Sequence, residues 1–381
     1  MRASFEKTDD ARFYESHTEL SKLAAAAGPV LLSTRIGAAR ACKIAYGTVA
    51  LSPIIDHHRG NNPRENCSSS IMARALDVIV FPGGFNLPIW AGVHSGAFTR
   101  HDVEIRLHFT TNSMQQLAGL VRGEWEIGLT GFDNVVAYQE GQGEAEIDRA
   151  PDLFVFMGGD NAFLRLVVQP DIDSYADLRG KVLSVDALTT GFAFVLRKML
   201  ASSGIAEADV RFERAGGVMQ RFEALKEGKH AGTLLVTPFD LIAQKLRLRV
   251  LQSASEVLPH YQGISGTARR GWARDNPDLL AAFIRGYLAA LDWLYDRRNE
   301  DAACSLLVEK VPNMSAELAK ATYRILVAEP GGFEPKARLD PQGIATVLAL
   351  RSEYGRPQKL LTDTRKYDDM SYYRRAVEVT R

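Results

Sequence analysis

The chain is short of cysteine: three among 381 residues, at Cys42, Cys67 and Cys304. An odd count with no CxxC spacing argues against a disulfide framework. Charge of one sign is missing too. Lys plus Arg number 46 and Asp plus Glu 46, for a formal net charge of +0. No bulk field therefore draws the protein to nucleic acid or to an anionic membrane. No stretch approaches the ~18 consecutive apolar residues of a membrane-spanning helix. GxSxG, Walker-type and GxGxxG motifs are absent from any convincing context. His57 and His58 with Cys42 and Cys67 fit no standard zinc spacing, so neither a metal nor a cofactor is expected. The basic run "ARRGWARD" (268–275) reads as a solvated turn rather than a nucleic-acid site. The first 29 residues are charged and mixed where a secretory signal would be apolar, so no signal peptide is readable.

What is present is the composition of a soluble globular protein, 46% apolar and 24% charged. The length is too great for one ordinary core and asks for two or more lobes. Residues 1–75 stand apart. "SFEKTDDARFYESHTELSKLAAAAG" has the pattern of one amphipathic helix ending at Gly28, and "DHHRGNNPRENCSSS" is polar and turn-rich. This part is expected to be a poorly ordered extension, with Met72 as an alternative start of the patterned region.

From Leu76 onward strand and helix alternate. "LDVIVF" is a buried strand, "LPIWAGVHSGAF" a helix, and "VEIRLHF" a strand of period two. "MQQLAGLVRG" is a helix stopped by Gly123, and "EIGLTG" leads into a helix from Asp133. "LFVFMGG" and "FLRLVVQP" are strands. "YADLRGKVLSVD", "GFAFVLRKMLASSG", "VRFERAG", "VMQRFEALKEG" and "GTLLVTPFD" then repeat the plan, and the chain ends in helices after Asn276. This rhythm predicts an α/β fold of mostly parallel sheets flanked by helices. The halves match in detail. "MQQLAGLVRG" (114–123) and "MQRFEALKEG" (219–228) each precede a strand and then Phe-Asp, at Phe132-Asp133 and Phe239-Asp240. Two similar lobes are expected.

The order of elements resembles the periplasmic solute-binding proteins of ABC uptake systems. The nearest branch is the one for nitrate, alkanesulfonates, taurine and thiamine-pyrimidine precursors. "FNLPIWAGVHSGAFTRHDVEIRL", "LAGLVRGEWEIGLTG", "SYADLRGKVLSVDALTTGFAFVLRKMLASSGI" and "NPDLLAAFIRGYLAALDWLYDRRNEDAACSLL" carry the resemblance, in order, from about Leu76 to Val311. Departures are Ala231 in "GKHAG", at a position usually acidic in the family, and the absent cysteine-rich motif of the synthase relatives. The resemblance implies a two-lobed fold: lobe 1 from 76–165 and 258–381, lobe 2 from 166–257. It implies a small-molecule ligand in the cleft, an ABC permease as partner, no catalysis, a monomer and a periplasmic location. A cytoplasmic location is the alternative, since no signal is readable.

In such a fold the ligand sits at strand ends and helix N-termini, where backbone N–H groups point outward. The expected ligand-binding residues are Phe85, Asn86, Trp90, Thr130, Gly131, Phe132, Asp133, Asn134, Thr189, Thr190, Gly191, Gly217, Thr237 and Asp240. Gly83 and Gly84 let the backbone come close, Phe85 offers a flat face, and Asn86 a donor and an acceptor. For Asn86, Thr190, Asp133 and Asp240 the competing role is a helix cap; for the phenylalanines it is core. The five cleft loops hold no Lys or Arg, although a guanidinium is the usual strong partner of an anion. A neutral or cationic organic ligand is therefore expected, such as a flat heterocycle between rings. The alternative is an enzyme on the same fold, acting on a small heterocyclic or sulfur-containing compound. Its best acid–base candidates are His94 with Asp133 or Asp240.

Overall fold

The structure is a computed structural model that describes residues 73–378. Of the expected extension over 1–75, residues 1–72, with the expected helix, His57, His58, Cys42, Cys67 and Met72, lie outside the described residues, while Arg74 and Ala75 already belong to strand β1. The elements run β1 (Arg74–Val80), α1 (Leu87–His94), β2 (Val103–Phe109), α2 (Ser113–Arg122), β3 (Ile127–Gly131), α3 (Phe132–Gln139) and β4 (Leu153–Met157). They continue through β5 (Arg165–Val168), β6 (Val182–Val185), α4 (Gly191–Ser202), β7 (Arg211–Arg214), α5 (Val218–Lys226), β8 (Gly232–Leu235), α6 (Phe239–Lys245) and β9 (Arg249–Ser253). Last come β10 (Ile264–Arg269), α7 (Arg270–Asp275), α8 (Pro277–Tyr295), α9 (Glu300–Lys310), α10 (Ala316–Leu326), α11 (Pro341–Tyr354) and α12 (Ser371–Glu378).

Local chemistry explains most of these boundaries. β1 carries the apolar run and buries Leu76 and Val78 to Val80. Pro88 opens α1, where its missing N–H costs nothing. The Asn112 side chain accepts a hydrogen bond from the Gln115 N–H at 2.8 Å and so starts α2. Gly123 ends α2 at φ 86°, a left-handed conformation that glycine adopts without strain. The expected turn at "ARRGWARD" is corrected: its last six residues form the short helix α7.

The strands make two five-stranded sheets, ordered β2-β1-β3-β10-β4 and β7-β6-β8-β5-β9. Within each, one strand runs against the rest: β10 is antiparallel to β3 and β4, and β5 to β8 and β9. These two strands are the first that the chain lays down after crossing between lobes, at 158–164 and at 254–263. Each sheet is thus completed by a strand that arrives from the other lobe. Apart from that strand the sheets are parallel, and the expected two-lobed α/β fold is present.

The sequence repeat is a structural repeat. Gln116 in α2 and Arg221 in α5 hold the same place in it. Gln116 donates to the carbonyls of Ile79 at 3.3 Å and Leu129 at 3.2 Å. Arg221 donates to those of Gly216 at 2.8 Å and Leu234 at 3.3 Å. Helix α8 covers the first sheet, stacking Phe283 on Phe98 with ring centroids 5.5 Å apart and meeting Phe156 edge-on at 6.1 Å. Helix α11 packs against both α3 and α4, so it spans the two lobes.

Candidate functional site

A cavity of about 60 Å³ lies between the lobes. Helices α3, α4 and α5 all begin at its wall. Their N-cap residues, Gly131, Thr190 and Gly217, make no side-chain capping bond. The Thr190 hydroxyl donates instead to the Ala187 carbonyl at 3.1 Å. Three helix starts therefore converge on one space; the Phe132 N–H of α3 bonds the Gly263 carbonyl at 3.0 Å, and the setting suits an acceptor oxygen at the remaining N–H groups. Phe81, Phe85, Phe163 and Phe192 supply its apolar walls.

Of the expected ligand-binding residues, Phe85, Gly131, Asp133, Asn134, Thr190, Gly191 and Gly217 line this cavity. The others stand behind it. Asn86 is wholly buried and donates through Nδ2 to the Phe81 carbonyl at 2.7 Å, with no capping bond to α1. Trp90 and Phe132 are core, the latter edge-on to Tyr367 at 6.4 Å. Thr130 accepts from Asn134 Nδ2 at 2.8 Å and so orients that amide. Thr189 lies in the loop before α4, its N–H bonded to Glu144 Oε1 at 2.7 Å. Thr237 and Asp240 are both wholly buried and take the guanidinium of Arg165, at 3.0 and 2.9 Å.

The two aspartates of the repeat are neither caps nor free acids. Asp133 is gripped by Arg351 through Nε at 2.6 Å and Nη2 at 2.8 Å, with Arg351 fully buried. Asp240 is held by Arg165; burial raises its carboxyl above the usual range, and Arg165 and Thr237 work against that rise. The expectation that the cleft lacks guanidinium groups is corrected here. The five loops do lack them, but Arg221 reaches the cavity wall from α5, and Arg351 stands behind Asp133 from α11. Asp133 therefore offers no uncompensated charge to a ligand. The expected acid–base pair is also not assembled. His94 is exposed at the last turn of α1, edge-on to Trp293 at 5.7 Å, while both aspartates hold arginines.

Asp160 and Asp186 also line the cavity, and the sequence reading missed both. Asp186, from lobe 2, accepts the N–H of Ser113 at the start of α2 in lobe 1 at 3.2 Å, and its Oδ1 is left without a partner. Asp160 sits in the first crossing, 7% exposed, and its Oδ1 accepts the N–H groups of Ala162 at 2.7 Å and Ile264 at 2.8 Å. Burial pushes its carboxyl up to about 6, with those two N–H groups pulling the other way. Further bonds bind the lobes together: Gly217 N–H to Thr111 O at 2.8 Å, and Arg214 Nε to Glu144 Oε2 at 2.9 Å. Arg351 Nη2 also reaches the Thr189 carbonyl at 2.5 Å. A signal for Asp160 was present in "MGGD" directly after a strand. Arg221 could have been found by aligning the two repeats.

Two sheets, reciprocal crossings and a cavity at the helix ends define the periplasmic-binding-protein-like fold. The chain belongs to the NMT1/THI5-like family, whose model matches residues 86–300. Among solved structures it resembles the periplasmic nitrate-binding protein NrtA from Synechocystis PCC 6803, at 11% identity and TM-score 0.68, over 81% of this chain and 89% of that one. It also resembles the alkanesulfonate-binding protein SsuA from Xanthomonas axonopodis pv. citri bound to MOPS, at 17% identity and TM-score 0.61, over 77% and 96%. A third likeness is DszB in complex with biphenyl-2-sulfinic acid, at 13% identity and TM-score 0.55, over 81% and 100%. Likeness at these identities is likeness of fold. No curated protein sequence matches the chain.

Proposed function

We propose that the protein binds a small organic solute between its lobes and delivers it to an ABC-type permease without altering it. The observation that carries this reading is the cavity itself: it is walled by both lobes, with three uncapped helix starts on its surface. The names of the nitrate- and sulfonate-binding neighbours support solute binding. The periplasmic setting named for NrtA supports a periplasmic site of action.

The ligand is neutral or cationic, on grounds other than Asp133. Around the cavity stand three carboxylates, Asp133, Asp160 and Asp186, and two guanidiniums, Arg221 and Arg351. The sum is minus one with Asp160 ionised and zero with it protonated. An anion would enter against that balance, whereas a neutral group with an acceptor oxygen suits the helix ends. The phenylalanines favour a flat or apolar body.

A thermal-shift screen tests the reading, with pyrimidines, amines, amino acids, aromatic acids, sulfonates and nitrate. A ligand at 100 times its Kd stabilises by about 2.7 kcal/mol. Hits among neutral or cationic rings are expected. Hits confined to sulfonates and nitrate would overturn the charge argument. A chemically changed ligand after long incubation would overturn delivery without catalysis.

A further inference from the structure

Three of the buried aspartates share one physical problem and solve it differently. A buried carboxylate needs a cation, or hydrogen bonds, or a proton. Asp133 has Arg351 and Asp240 has Arg165. Asp160 has neither. Its hydrogen bonds come from two backbone N–H groups, and both go to the same oxygen, Oδ1. Among the described residues no cation lies within ion-pair distance of it, and Oδ2 accepts no hydrogen bond. The side chain lines the cavity while only 7% of the residue is exposed.

The placement of Asp160 is held from both crossings. Its own N–H donates to the Ile264 carbonyl at 3.3 Å, and the Gly263 N–H donates to the Asp160 carbonyl at 2.9 Å. Ala162, whose N–H it accepts, has a left-handed backbone at φ 75°, and Phe163 follows at φ 49°. Non-glycine residues adopt that region at a cost, and here it turns the Ala162 N–H onto Asp160 and brings Phe163 to the cavity wall. Oδ1 is thus spent on fixing the crossings. Oδ2 is left to accept a bond from something in the cavity; the other cavity carboxylate with an unpartnered oxygen, Asp186, holds the Ser113 N–H through its second oxygen.

We propose that Asp160 is the residue that selects the ligand, by accepting an N–H of an amidine, amine or amide group through Oδ2. This deepens the reading of the cavity as a solute site and rests on it. It names the class: a small nitrogen compound with its donor end at the crossing and its acceptor end at the starts of α3, α4 and α5. It also fits the raised carboxyl of Asp160, which burial produces and which a donor on the ligand would oppose.

Three isosteres test it: acetamidinium, acetamide and acetate each have four heavy atoms in the same planar arrangement and carry charges of plus one, zero and minus one. Each fits a cavity of about 60 Å³. Binding to the full chain is measured by thermal shift and calorimetry at about pH 7.5, up to about 100 mM, because so few atoms limit the affinity. Expected is acetamidinium over acetamide over acetate, with at least about tenfold between first and last, the worth of one hydrogen bond to a charged group. Asp160→Asn keeps an oxygen for Ala162 and Ile264 and turns an NH₂ donor to the cavity. It is expected to lose about tenfold for acetamidinium and to gain for acetate. Acetate binding the unaltered protein as well as acetamidinium would overturn the role of Asp160 while leaving the cavity a solute site. So would an Asn variant that folds normally and keeps the original order. No binding of any of the three would overturn both.

Discussion

Asp160 and Arg351 show how much a single buried charge decides in this molecule. Asp160 carries a carboxyl raised from 3.8 to about 6 by burial. A raised acid favours the folded state while protonated. Its stabilising effect is full below the unfolded value near 3.8 and is lost as pH rises through about 6. The shift corresponds to about 3 kcal/mol. Urea titrations at pH 4.5 and 7.5 are therefore expected to show the unaltered protein losing stability relative to Asp160→Asn as pH rises. Equal pH dependence in the two would remove the raised carboxyl. Arg351 is the opposite case, an ion already paired. Arg351→Met leaves Asp133 buried and alone and is expected to cost about 3–5 kcal/mol, read from the urea midpoint. Arg351→Lys is not expected to restore it, because the two-pronged grip of the guanidinium on both Asp133 oxygens needs the planar fork. Removing both charges, with Asp133→Leu and Arg351→Met, is expected to recover most of the loss. Asp133 was legible as a site residue from the helix start it occupies. Its partner was not, since it lies 218 residues further on.

At the scale of the element, the helix starts carry the site, and glycine makes one of them possible. A Cβ on Gly191 would stand 2.4 Å from Asp133 Cγ and 2.5 Å from the Tyr261 hydroxyl. Gly191→Ala is expected to keep α4 from seating against lobe 1, costing about 1–3 kcal/mol and reducing ligand affinity by calorimetry. Gly228 ends α5 at φ 72° with nothing near its missing side chain. Gly228→Ala there costs only backbone strain, about 1–2 kcal/mol, and leaves affinity unchanged. The pair separates a glycine that makes room for the site from one that stops a helix. These elements were readable because their signals are local: the apolar run of β1, the Asn112 cap, and the glycine stops of the repeated helices. Asn86, Thr190 and Asp240 occupy helix starts as read, yet none makes the capping bond that a helix start invites. Asn86 and Thr190 bond instead to carbonyls just upstream, of Phe81 and Ala187, and Asp240 is claimed by Arg165 across the sheet.

The whole molecule is held closed by contacts that span the lobes. Glu144 from lobe 1 accepts the Thr189 N–H and the Arg214 guanidinium of lobe 2. Arg351, from the helix that bridges both lobes, bonds Asp133 on one side and the Thr189 carbonyl on the other. Glu144→Ala is expected to enlarge the radius of gyration of the ligand-free protein in X-ray scattering, and a bound ligand to reverse the change. A radius unaltered by the substitution would show that closure does not depend on Glu144.

The sequence by itself determined the alternation of strand and helix, the repeat that makes two lobes, the family, and the helix starts that face the cleft. All of these follow from spacing, caps and glycines within a few residues of one another. The tertiary structure decided which strand completes which sheet, because β5 and β10 find their places only after the chain has crossed between lobes. It also decided which charges are free. Pairing between Asp133 and Arg351, or Asp240 and Arg165, depends on distances in space that no local pattern encodes. Asp160, which no cation among the described residues reaches, stands out only once those pairings are known.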